Sequence, residues 1–126
     1  MRYAVLRARD IDHDLSAIFD FLFESHKAFG EDDETAFARA AARIHGIEDA
    51  MAALSRAPHQ GTLREEILPG LRAVTKDRVI FYFDVDDEHR TLRVLAVFFG
   101  GQDHQRRMLA RVLGMTGEER IEGGHS

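Results

Sequence analysis

The chain has 126 residues, no cysteine and a formal charge of −5, with 44% apolar and 31% charged residues; this is enough for one globular domain with a real core and not for two. Without cysteine there is no disulfide framework, thiolate metal site or cysteine nucleophile, and the acidic balance argues against a domain that holds nucleic acid by neutralising phosphates. No apolar run reaches membrane-spanning length and the start, MRYAVLRARD, lacks a signal segment, so a cytoplasmic protein is expected, neither spanning nor exported.

Arg2 to Ala8 predicts a strand, with Tyr3, Val5 and Arg7 on one face and Ala4 and Leu6 on the other. Asp10 or Asp12 can cap the helix that follows, in which Ile11, Leu15, Ile18, Phe19 and Leu22 recur at helical spacing until about Gly30. His26 and Lys27 in its last turn suit the negative end of the helix dipole. The acidic run from Glu31 to Glu34 marks the entry to a second helix, where Phe37, Ala40, Ala41, Ile44, Ile47, Met51 and Leu54 form one stripe. Two helices joined by a short turn make a hairpin with one apolar side.

Arg56 to Thr62 is a connector broken by Pro58 and Gly61, Leu63 to Leu68 adds an extended segment, and Pro69-Gly70 reads as a turn. Leu71 to Thr75, Arg78 to Val85 and Thr91 to Phe99 then predict an antiparallel meander, interrupted at Lys76-Asp77 and at Asp86 to His89. In the third run Leu92, Val94, Ala96 and Phe98 alternate with Arg93, Leu95, Val97 and Phe99, so both faces are apolar beyond Arg93 and both need cover. After Gly100-Gly101, Asp103 can cap a last helix from His104 to Leu113, with Met108, Leu109 and Val112 inward and Arg106, Arg107 and Arg111 on or near its outer face. The expected fold class is α+β: an antiparallel β-meander sheet with an N-terminal helical hairpin on one face and a short C-terminal helix. Residues 1–113 form the single domain, and 114–126, with little to bury, a flexible tail.

The chemistry is sparse. The seven histidines show no zinc-type spacing, and there is no P-loop, dinucleotide fingerprint or Gly-x-Ser-x-Gly elbow, so no metal, cofactor or catalytic group is expected. Asp84, Asp86, Asp87 and Glu88 gather at a hairpin tip, where solvation explains them. Arg72, Arg78 and Arg93 are expected to be structural or partner-binding, since only a cluster in a cleft would suggest phosphate.

The order of elements, together with Pro69-Gly70-Leu71-Arg72, Val79-Ile80-Phe81-Tyr82 and the ending from Val97 to Asp103, resembles the RelE/ParE superfamily of bacterial toxins over residues 3–113. In related toxins these segments look like a Gly-Leu-Arg turn, an Ile-Phe-Tyr strand and a Leu-His-Gly-x-Arg-Asp ending. Phe99 stands where that histidine is common, and Gln102 where that arginine is. The resemblance implies the toxin of a type II toxin-antitoxin (plasmid stabilisation) system. Its RelE-like branch cuts messenger RNA on the ribosome with basic groups, whose positions here hold Leu68, Gly70 and Val79, which can neither stabilise developing charge nor move a proton. Arg78 is one residue away, on the opposite face of a strand. The ParE-like branch, which acts on DNA gyrase without that set, is the better match; the alternatives are a ribosome-dependent ribonuclease with displaced groups and a member without toxicity. The resemblance implies a cognate antitoxin and DNA gyrase as partners ahead of ribosome or mRNA; no membrane partner is expected from the sequence, and the alternative to the antitoxin-bound form is a self-sufficient monomer or a homodimer. Partner or target contacts are assigned to Arg72, Arg78, Phe99, Arg106 and Arg107, with the antitoxin laying an amphipathic helix or a strand on the apolar and sheet-edge surface.

Overall fold

The computed structural model describes residues 2–100 and 103–125, with side chains for 2–100 and 103–114. Gly101 and Gln102, part of the expected turn and of the family-like ending, lie outside the described residues. In chain order the elements are β1 (Ala4–Arg7), α1 (Ile11–Ala28), α2 (Asp33–Ala53), a 3-10 turn (Leu54–Arg56), β2 (Thr62–Leu63), β3 (Arg72–Lys76), β4 (Val79–Asp86), β5 (Thr91–Phe99) and α3 (His104–His125). The sheet runs β1-β5-β4-β3-β2, with β1 parallel to β5 and every other pair antiparallel.

The expected helical hairpin and meander are both present. Asp32 caps α2 by accepting from the Thr35 N–H at 2.8 Å, while Asp10 occupies the cap position of α1 without a side-chain cap bond. Ile11, Leu15, Ile18 and Leu22 of α1 and Ile47 and Met51 of α2 are buried against Val79, Phe81, Phe83, Leu92, Val94 and Val97 of the sheet. The opposite face holds a second core in which Met108 and Val112 of α3 cover Leu71, Ile80, Tyr82, Leu95, Ala96 and Phe98. The far end of β5 is therefore covered on both sides, as its two apolar faces require.

Several details differ from expectation. Tyr82 lies opposite Ala96 and Phe83 opposite Val94, so Leu95 is an extra residue, a bulge in β5. Strict alternation would place Leu92, Val94, Ala96 and Phe98 on one face; the bulge instead puts Leu92 and Val94 with Val97 under the helical hairpin, and Leu95, Ala96 and Phe98 under α3. Arg78 is not a strand residue. It forms with Asp77 a two-residue turn in which both have positive φ, 49° and 70°, the geometry of a type I′ hairpin. Of the extended segment expected from Leu63 to Leu68 only Leu63 is strand, because Ile67 and Leu68 N–H groups fold back to the Arg64 carbonyl. Phe37 and Leu109, expected inward, are exposed, and Ala36 takes the buried position on α2. The last helix continues to His125, past the expected end at Leu113.

Candidate partner-binding groove

Strand β5 is longer than the neighbour on its outer edge. β1 pairs with Thr91 to Val94, and the last link is the Ala8 N–H to the Val94 carbonyl at 2.9 Å. Beyond that point α1 crosses the edge. The carboxylate of Asp14, itself buried, accepts the Val97 N–H at 3.0 Å and receives both terminal nitrogens of Arg111 at 2.6 and 2.7 Å. Arg111 also donates to the Leu95 carbonyl at 3.2 Å and lies 3.7 Å from Asp10. One ion pair thus joins α1, β5 and α3. Hydrogen bonding to Asp14 raises the Arg111 pKa above its ordinary value, against the opposing pull of burial. Arg111 had been expected on or near the outer face; its spacing of three from Met108 turns it inward.

Next to this clasp a groove of about 700 Å³ opens along the end of β5. Its floor and walls are Val97 to Gly100, Asp14, Ala17, Ile18 and Phe21 of α1, Thr75, Arg78 and Ile80 around the β3-β4 turn, and Arg107 of α3. The rings of Phe21 and Phe99 lie 5.7 Å apart. The guanidinium of Arg107 sits 4.4 Å over the Phe98 ring, and that of Arg43 5.6 Å from the Phe99 ring. Arg43 also holds the turn in place, binding the Asp77 carboxylate at 2.7 Å and its carbonyl.

Three of the five expected contact residues, Arg78, Phe99 and Arg107, therefore meet at one groove, and two do not. Arg72 lies elsewhere and donates to the His59 carbonyl at 2.7 Å. Gly61, close by, has φ +84°, and a Cβ there would meet the Ala73 carbonyl at 2.5 Å, so the connector can seat on β3 only with glycine. Arg106 is exposed and paired with Asp103 at 3.2 Å. Arg93 pairs with Asp84 at 3.2 Å, in keeping with a structural role. Sequence reasoning missed Asp14 and Phe21, since an acidic residue in the first turn of a helix reads as a dipole partner and a half-exposed phenylalanine as chance.

A second polar constellation lies at the β4-β5 hairpin tip. Asp87 accepts from Tyr3 Oη at 2.5 Å and lies 2.8 Å from His59 Nε2. The hydrogen bond from Tyr3 holds the Asp87 carboxyl below the ordinary range, and the same bond raises the Tyr3 hydroxyl. Ligand atoms of Asp86, Glu88 and His89 lie within 4.8 Å of one another, but all three residues are exposed and Asp86 is already bonded to the His89 ring at 2.8 Å.

The positions to which the resemblance would assign nuclease groups hold Leu68, Gly70 and Val79. Val79 is buried under the helical hairpin, Leu68 packs against the second core, and Gly70 sits in a turn with φ +80°. Tyr82 is buried and bonded to His104 Nδ1 at 2.7 Å, its hydroxyl pKa raised by burial. Among the described residues no helix is long and apolar enough to cross a membrane.

No family profile and no curated protein matches the sequence. Solved structures do match. A chain of the chromosomal ParDE TA system from P. aeruginosa is 20% identical, with a TM-score of 0.58 over 79% of this chain and 98% of that one. A mutant of the E. coli toxin RelE in the free state is 10% identical, with a TM-score of 0.55 over 88% of this chain and 97% of that one. Identities this low speak to fold, and both neighbours are spanned almost end to end. The chain, with its sheet ordered β1-β5-β4-β3-β2 between a helical hairpin and a C-terminal helix, therefore shares the α+β fold of these ParDE and RelE chains.

Proposed function

We propose that the chain is the toxin of a type II toxin-antitoxin system, of the ParE-like kind. It inhibits a replication target such as DNA gyrase by binding it, and is neutralised by a cognate antitoxin that occupies the groove beside β5. The observation that carries this reading is a contrast between two places. The groove combines exposed aromatic surface with the cations Arg78 and Arg107, which suits a protein partner. The positions needed for RNA cleavage hold Leu68, Gly70 and Val79, which supply no charge and no proton.

Co-expression with the product of the adjacent gene tests this. The wild type should co-purify with that product, and Phe99→Asp and Arg78→Glu should each weaken the complex at least tenfold while keeping the wild-type circular dichroism. Arg78→Glu serves as the surface change should Phe99→Asp disturb the core. A wild type that captures no neighbouring product, or variants that bind as tightly as the wild type, would overturn the reading.

A further inference from the structure

The groove at the end of β5 also has the size and the lining of a small-molecule site. Its volume of about 700 Å³ falls in the range of ligand clefts. Ile18, Phe21, Ile80, Val97, Phe98 and Phe99 give it an apolar wall rich in aromatic rings. The Phe21 and Phe99 rings lie 5.7 Å apart, inclined at 47°, and more than half of Phe21 is exposed, so the pair has ring surface left to offer. Contacts between aromatic rings gain beyond the area they bury.

The charge of the groove is positive. Asp14 lines it, but both of its oxygens are taken by Arg111 at 2.6 and 2.7 Å. Arg78 and Arg107 have no ion-pair partner among the described residues, and Gly101 and Gln102, which join Gly100 to Asp103, carry no charge that could supply one. Both cations are nevertheless held in place. The Arg107 guanidinium lies 4.4 Å over the Phe98 ring. Arg78, at φ 70°, sits in a turn tied down twice, by the Gly100 N–H on the Arg78 carbonyl at 2.5 Å and by Arg43 on the Asp77 carboxylate at 2.7 Å. Two fixed cations beside an apolar wall can receive an anion with little left to order.

We infer that the groove is a binding site for a small aromatic carboxylate, its rings against Phe21 and Phe99 and its acid group drawn to Arg78 and Arg107. A nucleotide fits less well, because a nucleobase would bury its edge donors and acceptors against a wall whose side chains, apart from Thr75, offer none. A neutral arene leaves the arginines unanswered, and a saturated chain forgoes the ring contacts. The inference concerns the free chain and goes beyond the partner-binding reading; where both hold, ligand and partner compete for one groove.

Isothermal titration calorimetry of the purified full chain with biphenylcarboxylate tests this, with biphenylcarboxamide, decanoate and adenosine monophosphate as comparison ligands. The carboxylate should bind saturably and shift the ring resonances of Phe21 and Phe99, and each comparison ligand should bind at least tenfold more weakly. The double variant Arg78→Gln/Arg107→Gln, with wild-type circular dichroism, should weaken the carboxylate at least tenfold and leave binding of the amide unchanged. Ala17→Phe fills the groove from an exposed position on α1 without changing its charge, and should weaken both. Co-purification of an adjacent-gene product is read separately, so the ligand site and the partner reading can fail independently. No saturable binding of the carboxylate, equal binding of the amide, decanoate or adenosine monophosphate, or carboxylate binding unchanged by either variant would each overturn the inference.

Discussion

At the scale of single residues the fold turns on Asp14. Among the described residues it is the buried charged side chain, and its two oxygens take three hydrogen bonds, one from β5 and two from α3. Removing one partner of such a pair leaves the other buried without compensation. Asp14→Ala should lower stability by about 2–4 kcal/mol, read by urea unfolding, with Arg111→Ala similar and the double variant well short of the sum. Additive losses would show that the two side chains act independently. The tip network supplies a pH-dependent counterpart. Because the folded Asp87 carboxyl lies below its ordinary range, its contribution is present above about pH 4 and lost as pH falls through the depressed value. Tyr3→Phe removes the main cause, so the Asp87 carboxyl resonance should titrate at higher pH than in the wild type; an unchanged midpoint would assign the depression elsewhere. Neither residue was visible as a partner in the sequence, since Asp14 meets Val97 and Arg111 only through the fold.

At the scale of elements, much of the architecture could be read from periodicity. The helical stripe of α1 and the three β-type runs predicted the hairpin, the meander and the need to cover β5 on both faces, and Phe81, Val94 and Met108 occupy those interiors. The bulge could not be read, because Leu95 and Ala96 are both apolar and a period of two looks unbroken when an extra apolar residue enters it. The hairpin turn was read, but one residue early at Lys76-Asp77 and not at Asp77-Arg78, since type I′ geometry normally announces itself with Asn-Gly or Asp-Gly. These two misses shape the groove: the bulge determines which groups line the end of β5, and the turn lifts Arg78 out of the strand. Docking of α3 depends on Met108, fully buried on the second face. Met108→Ala should cost about 2–4 kcal/mol and speed proteolysis within α3 relative to the hairpin. Wild-type stability and cleavage in that variant would mean that α3 adds little to the core.

At the scale of the whole molecule, a chain with a net charge of −5 presents at one groove, beside aromatic rings, two arginines, Arg78 and Arg107, that have no ion-pair partner among the described residues. The family-like segments of the sequence pointed to this end of the sheet through Phe99, but Arg72, which belongs to the Pro69–Arg72 segment, and Arg106 lie away from it. The account's central claim is that this molecule acts by binding and not by cutting RNA. Induced expression of the wild type in bacterial cells, with a DNA-damage reporter and messenger half-lives followed in the same culture, tests that claim most directly. The account predicts growth arrest with the reporter induced and messenger half-lives unchanged; arrest with shortened messenger half-lives and a silent reporter, or no arrest at all, would contradict it.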